Sequence, residues 1–532
     1  MLLVPPILLV AALLALVLGV RLLPDRQSGA LTRADISAPW MPLATGCVVA
    51  AIVTWIWGGL RAPAVIDDEA AYLLQAALFA RARWTLPSPA ILGAFTQPAV
   101  LLTPALAPKM PPGHALLLVP GLLVGLPGLM PMLLVGCTAA LLLILARRFH
   151  GLGVATLAVA LWLTQGAQSR WRASYMSETT TALLWLAGWW CLLRWRDSRR
   201  VAWLLALAAV TGWGAITRPL TMLMFAVPVG VIVVHDVVRL RLWKQLATGL
   251  AVGVVPLLLL PAQNAAITGS WRQSPLALYT RQYMPFDKFG FGLDSTPPEF
   301  SLPPELQQGF AGIRERHREH VAAALPGILR HRLETEGTTS FSAWRKFLVI
   351  PAVIGLLFLG ASGWFAAATG LLLYLGYLGY AHELHWTIYY LEATPVVALT
   401  IALGLHQLLA LAVGKKARSG VVDMLAALVI LLVALPELSH ARRFREAGQQ
   451  PYRDFASRVA ALGNKRTLIF LRYGPDHVQD VSLLRNVADP QHAACITAYD
   501  LGSTANARVA ASFPDRSPYL WDEATQRLLP VD

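Results

Sequence analysis

Along most of the chain, apolar stretches of about 16 to 24 residues alternate with short polar ones, and a helix of that length can cross roughly 30 Å of hydrocarbon. The pattern predicts about twelve spans, near 2–20, 41–60, 129–146, 152–169, 177–193, 202–217, 219–235, 245–262, 347–361, 363–380, 389–412 and 420–438. The first run lacks a basic n-region and an obvious small-residue cleavage site, so it reads as a helix and not a signal peptide. Two long connections, 61–129 and 263–346, interrupt the series, and 304–334 within the second has helical spacing with charges on one face. Near Ser439 the character changes. The tail is polar and holds strand-like runs at 467–472 and 494–499, separated by turn residues. The expected architecture is an all-α polytopic membrane protein with a transmembrane module at 1–438 and a small α/β module at 439–532.

Composition supports a membrane protein. The 532 residues are 56% hydrophobic and 14% charged, and the mean hydropathy is +0.55. A soluble chain of this size carries about 25% charged residues. The net charge of +14 follows membrane topology and gives no reason to expect nucleic acid. Arg21, Arg26, Arg33, Arg147, Arg148, Arg194, Arg196, Arg199, Arg200, Arg239, Arg241, Lys244, Lys415, Lys416 and Arg418 fall in one set of short connections. Only Asp25, Asp35, Asp197 and Asp236 oppose them, and the alternate short connections hold Arg170, Arg172 and Arg218. The positive-inside rule makes the first set cytoplasmic, which puts both long loops and the tail module outside. Cys47, Cys137, Cys191 and Cys495 have neither metal-ligand nor disulfide spacing.

Ionisable residues beside a bilayer are costly, so their grouping is informative. They gather at the outer ends of the spans: Asp67, Asp68, Glu69, Lys109 and His114 in the first loop, then Arg170, Arg172, Glu178 and Arg218, then His382, Glu383, His385, Trp386, Tyr389, Tyr390 and Glu392. Within the apolar centres only His406 stands out. Acids in the first turn of a helix are favoured by its dipole, by about 0.3–1 kcal/mol each. That accounts for one or two of Asp67, Asp68 and Glu69 more easily than for three. A carboxylate with a raised pKa is suited to taking a proton from a hydroxyl. Lys109, before the turn Met110-Pro111-Pro112-Gly113, can meet a phosphate as a point charge. Neither a P-loop nor a strand–GxGxxG–helix occurs, and no dense His or acid cluster specifies a firmly held metal. A divalent cation at Asp67, Asp68 and Glu69 stays open.

Together these residues resemble the GT-C superfamily of polytopic glycosyltransferases, which includes protein O-mannosyltransferases, aminoarabinose transferases and family 39-like bacterial membrane proteins. The residues that carry the resemblance are Asp68-Glu69 with Tyr72, Lys109-x-Pro111-Pro112-Gly113-His114, Thr217-Arg218-Pro219, Asn264 with Thr268-Gly269, and Tyr389-Tyr390 followed by Pro395. The tail, through Leu471-Arg472-Tyr473, His477, Asn486 and Tyr499-Asp500-Leu501-Gly502, looks like an uncharacterised bacterial subgroup. The resemblance implies an enzyme of the bacterial inner membrane. It would move a sugar from a polyprenyl phosphate to an extracytoplasmic glycan, lipid or protein, usually with inversion.

It further implies Asp68 as general base with Asp67 and Glu69 beside it, and Lys109, Arg218 and Arg172 around the donor phosphate. Tyr72, His114, His382, Glu383, His385, Tyr389 and Tyr390 would line the substrates. Among these, His382 and His385 with Trp386 fit either an acceptor groove or an interfacial belt. Two other readings stay open at this point: a transporter or flippase of lipid-linked glycan, which needs polar groups near the midplane, and a catalytically inactive GT-C-like protein that only binds glycan.

Overall fold

The computed structural model describes residues 40–531 apart from 166–167, 384, 414–419, 464, 476 and 478–480. The expected span at 2–20 and the basic residues Arg21, Arg26, Arg33, Lys415, Lys416 and Arg418 lie outside the described residues. The chain is mainly helical, with two small sheets. By length and composition, five described helices can cross a membrane: Trp40–Trp57, Leu129–Leu163, Pro219–Leu240, Trp243–Thr268 and Thr387–Val413. A sixth is added if Gly420–Val433 and Leu435–Ala460, bent by 43°, count as one span. The protein is therefore a multi-pass membrane protein.

The described helices redraw several expected boundaries. The runs at 129–146 and 152–169 are two helices within Leu129–Leu163 that meet at a kink at Gly151, where φ of 80° and ψ of 173° suit a residue without Cβ, and the second ends at Leu163. The run at 177–193 extends to Ser198 and takes Arg194, Arg196 and Asp197 into its last turns. The segment at 304–334 is two helices, Pro304–Glu319 and Leu325–Ser340.

Trp185, Trp189, Phe225 and Phe365 interlock between the helices Glu178–Ser198, Pro219–Leu240 and Gly360–Tyr377. A second core joins Trp40–Trp57, Leu129–Leu163 and Thr394–Val413. Gly46 and Gly136 let the first two of these helices touch backbone to backbone: a Cβ on Gly46 would lie 2.9 Å from the Gly136 carbonyl oxygen.

The tail sheet has a central strand, Thr467–Arg472, paired in parallel with Cys495–Tyr499 on one side and Ser517–Asp522 on the other. Arg527–Pro530 closes the far edge in antiparallel pairing. The helix Leu435–Ala460 runs across residue 438 and carries the last apolar helix into this sheet. Leu468, Phe470, Ile496 and Ala498 share one core with Ala71, Leu74 and Leu78 of the helix Asp67–Phe79. The tail and the acid-bearing helix are thus packed as a unit.

Candidate functional site

The helix Asp67–Phe79 begins with its three acids, and each finds different company. Successive residues on a helix point about 100° apart, so three neighbours cannot share one face. Glu69 is fully buried and closes its own helix start: its Oε2 accepts from the backbone N–H groups of Val65 at 2.8 Å and Ile66 at 3.2 Å. Its Oε1 accepts from the N–H of Tyr175 and from Arg445, both at 3.2 Å. Asp67 is paired at 3.0 Å with Arg485 of the tail, and Arg485 also reaches Tyr452 Oη at 3.0 Å. Asp68 alone makes no hydrogen bond or ion pair with any described residue.

Asp68 is densely surrounded by protein but keeps some accessible surface. Burial pushes its carboxyl above the ordinary range. Lys109 counters this, Asp287 adds to it, Arg218 counters it and Glu69 adds a last small push. The hydroxyls of Tyr72, Tyr279, Tyr380 and Tyr389 lie within electrostatic reach of the same carboxylate.

The first loop aims Lys109 by a small sheet and two carbonyl clamps. Ala105–Pro108 pairs with Leu86–Pro87 and with Val100–Leu101, and Lys109 follows directly. The next carbonyl, of Met110, accepts from both Gln75 and Gln263 at 2.8 Å. The Lys109 ammonium sits 4.5 Å from the centroid of the Tyr279 ring. The prolines then start the helix Pro112–Leu123. At Gly113 the turn before Arg218 comes very close: a Cβ would lie 2.9 Å from the Ile216 carbonyl, and the Gly113 N–H donates to that same oxygen at 2.9 Å. Gly113 therefore docks the Lys109 loop onto Thr217-Arg218.

Arg218 caps the start of Pro219–Leu240. Its guanidinium donates to Glu178, to Tyr377 Oη at 2.7 Å and to Thr221 Oγ1 at 3.2 Å. It lies 5.3 Å from the Tyr389 ring centroid. Glu392, buried behind it, accepts from Thr181, and its Oε2 has no partner among the described residues.

The structure thus brings Asp68, Lys109, Arg218, Tyr72 and Tyr389 into one electrostatic cluster. Other residues expected there are engaged elsewhere. His114 is fully buried, with its ring nitrogens on Thr180 Oγ1 at 2.8 Å and the Tyr175 carbonyl at 2.7 Å. Burial pushes it down to about 4, so it is neutral, and its ring meets Tyr72 edge-on at 4.8 Å.

His382 is held by the Glu383 carbonyl at 2.8 Å and Tyr390 Oη at 2.9 Å, and burial, then Arg332, pushes it down to about 2. Tyr390 stacks on Tyr374 at 4.0 Å within the core. Glu383 pairs with Arg316, and His385 is exposed beside Trp386. Arg172 lies one residue further off, beyond Glu178: it covers the Trp162 ring at 4.4 Å and donates to Thr394 at 3.4 Å.

Three residues of the cluster escape a sequence reading. Asp287 faces Asp68 from the second loop and is held 3.3 Å from His317 Nε2. Tyr377 ends the helix Gly360–Tyr377 and Tyr380 follows three residues later. Asp287 does lie in a Phe- and Gly-rich run, 286–292, the one local sign that this loop is shaped for a purpose. Among the described residues no group of three His, Cys, Asp or Glu side chains is arranged to hold a metal ion. Asp67, Asp68 and Glu69 diverge toward Arg485, the cluster and Arg445, and do not form a cation cradle.

This is a helical membrane protein with a cluster of acidic, basic and tyrosine side chains drawn from the segments 61–129 and 263–346 and from the neighbouring helix ends. No family model matches the chain, and no curated protein matches it. Among solved structures it is similar to ArnT from Cupriavidus metallidurans bound to undecaprenyl phosphate, at 15% identity over 82% of this chain and 83% of that one, with a TM-score of 0.42. The apo form of that protein aligns at 14% identity over 84% of each chain, with a TM-score of 0.45. The archaeal oligosaccharyltransferase AglB from Archaeoglobus fulgidus, in complex with an inhibitory peptide and a dolichol-phosphate, aligns at 12% identity. That alignment covers 78% of this chain and 56% of AglB, with a TM-score of 0.41. ArnT and AglB are members of the GT-C superfamily.

Proposed function

We propose that the protein is an integral-membrane glycosyltransferase that moves a sugar from a polyprenyl phosphate to a hydroxyl on an extracytoplasmic acceptor. The observation that carries this reading is the Asp68 carboxylate, partnerless among the described residues, across from Lys109 and Arg218. A base with a raised pKa and two fixed cations in one cluster fits a reaction in which a hydroxyl loses a proton while a phosphate leaves. Asp68 takes the acceptor's proton, and the acceptor oxygen bonds to the anomeric carbon with inversion. The bond from that carbon to the phosphate oxygen breaks, and its electron pair goes to the phosphate beside Lys109 and Arg218. Tyr72 and Tyr389 line the sugar.

A second feature supports a lipid-borne donor. An apolar cavity of about 320 Å³, walled by Leu142, Phe149, Trp185, Trp189, Leu359 and Leu399, ends at Glu392, which lies within electrostatic reach of Arg218. An isoprenoid chain suits such walls, and its phosphate would then meet the cations. In this reading the chain has about twelve spans. The first-turn acids, both long loops and the tail module lie outside the bacterial inner membrane, as the basic residues of the short connections direct.

The test is transfer from a polyprenyl-phosphate sugar by the full chain in proteoliposomes. Asp68→Asn is expected to abolish product while the protein still inserts, and Lys109→Ala and Arg218→Ala to weaken use of the donor. Undiminished product with Asp68→Asn ends the assignment.

A further inference from the structure

Arg218, which the proposed reaction needs for the phosphate, already carries a buried counter-ion in this structure. Its nitrogens go to Glu178, Tyr377 and Thr221. Two of the five N–H hydrogens of a guanidinium stay open to a phosphate oxygen, so the contest is over the positive charge and not over the donors. The two hydroxyls are neutral and can stay as neighbours. Glu178 carries the same sign of charge as the phosphate, and like charges in a buried site repel strongly. Glu178 is therefore the group that an arriving phosphate drives away from Arg218. It is buried, 1% exposed, so it cannot simply turn out into water, and an unpaired buried carboxylate is costly.

A second cation waits within its reach. Glu178 and Arg172 both wall a cavity of about 20 Å³, together with Thr138, Thr179 and Thr394. Arg172 is 3% exposed, and its Nε and Nη1 have no hydrogen-bond partner among the described residues. A buried guanidinium with two idle donors is an expensive arrangement for a purely structural residue. The cavity has room for about one water, so it cannot take a phosphate. It can take the edge of a carboxylate. Glu178 is the first residue of the helix Glu178–Ser198, where a change of side-chain rotamer swings the carboxylate without disturbing helical hydrogen bonds.

We propose that Glu178 is an exchangeable counter-ion: it neutralises Arg218 while no donor is bound, and passes to Arg172 when the donor's phosphate takes Arg218. Both residues are positioning residues that set phosphate affinity through Arg218. The inference rests on the reading of the cluster as the site of a lipid-phosphate donor. It assigns Arg172 a part in phosphate handling without direct contact.

The experiment measures binding of a sugar-free polyprenyl phosphate to the full chain in nanodiscs, with the matching polyprenol as the phosphate-free probe. Glu178→Gln keeps the shape and a hydrogen-bond acceptor but removes the competing charge, so the lipid phosphate is expected to bind about fivefold tighter or more, with polyprenol unchanged. Arg172→Gln removes the receiving cation and is expected to weaken phosphate binding by a similar factor. The double variant is expected to match Glu178→Gln, because Arg172 has no task once the charge on Glu178 is gone. A merely structural role cannot tighten binding and cannot give this masking.

Unchanged or weaker binding by Glu178→Gln, or additive effects in the double variant, overturns the exchange. If Glu178→Gln does not accumulate, Arg172→Gln binding the lipid phosphate as tightly as the native chain overturns it by itself. A native chain that binds phosphate and alcohol alike overturns the underlying reading as well, which separates the two failures.

Discussion

The helices Glu178–Ser198 and Pro219–Leu240 lie side by side and are tied by an Arg–carboxylate pair at each end, Glu178 with Arg218 and Arg196 with Asp236. Eighteen residues separate Arg218 from Asp236, or about 27 Å of helix, so the two ties sit on opposite sides of the apolar layer. At the Asp236 end both carboxylate oxygens are used. Arg196 donates at 2.9 Å, Arg199 at 2.8 Å and His235 lies at 3.3 Å, with Gln245 holding the Arg199 carbonyl at 3.2 Å. At the other end Asp68 has no described partner, Glu392 and Arg172 keep idle polar atoms, and aromatic hydroxyls surround the gap. The chemistry of the residues is the same at both ends. What differs is whether the carboxylates have been given partners by the fold. A closed pair holds helices together; an open one has capacity left for something else.

The same substitution at the two ends should therefore fail in opposite ways. Asp68→Asn is expected to lower transfer by about 10²–10⁴-fold, the span of general-base contributions, with insertion and thermal stability close to native. Asp236→Asn removes the charge that compensates Arg196 and Arg199, and breaking a buried pair costs about 3–5 kcal/mol. Its effect should appear in thermal unfolding and yield, with activity per folded molecule kept. If Asp68→Asn destabilised as much as Asp236→Asn, the contrast between an open and a closed cluster would be lost.

The direction of the Asp68 shift gives a sharper probe. A base works when deprotonated, so burial, by raising its pKa, moves the acid limb of the rate profile to higher pH than an ordinary carboxylate near 4 would give. Transfer should rise with pH through that limb. Lys109 pulls the carboxyl down, so Lys109→Ala should move the limb further up as well as weaken donor use. The measurement is kcat/KM against pH for both proteins. A limb at the ordinary carboxylate position, or one that moves down without Lys109, would contradict Asp68 as the base.

Much of this layout is legible in the sequence, and the failures have physical causes. The apolar runs, the tail strands at 467–472 and 494–499 and the helix after the acids follow directly from local pattern. Asp68, Lys109 and Arg218 were reachable because a charge beside a bilayer needs a reason. The separate fates of Asp67, Asp68 and Glu69 were not, because they depend on Arg485 and Arg445, some four hundred residues away in the chain. Glu69 reads as a third catalytic acid from its neighbours and becomes a helix cap only when Val65 and Ile66 turn back onto it. Asp287 was hidden for a similar reason: its place near Asp68 comes from how the second loop folds, and no spacing within 263–346 announces that. Arg172 belongs beside Arg218 by charge and sidedness, yet one intervening carboxylate, Glu178, takes it out of direct reach.

The mildest contrast lies between Asp67 and its neighbours. The Asp67–Arg485 pair, at 3.0 Å with both side chains 24% exposed, joins the tail module to the acid helix. Pairs open to water contribute up to about 1 kcal/mol, so Arg485→Ala should lower thermal stability by no more than that. It also takes the Arg485 positive charge away from beside Asp67 and Asp68, and less positive charge there raises the Asp68 pKa. The acid limb of the Arg485→Ala enzyme should move upward, while transfer on the plateau falls by no more than about fivefold, the equivalent of 1 kcal/mol. Arg485→Lys, which keeps the charge but loses the fork, should restore the limb more fully than the stability. A limb that stays put in Arg485→Ala would mean that Asp67 and Asp68 do not sense each other, and that the tail steadies the helix by its shared apolar core and the Arg445–Glu69 pair.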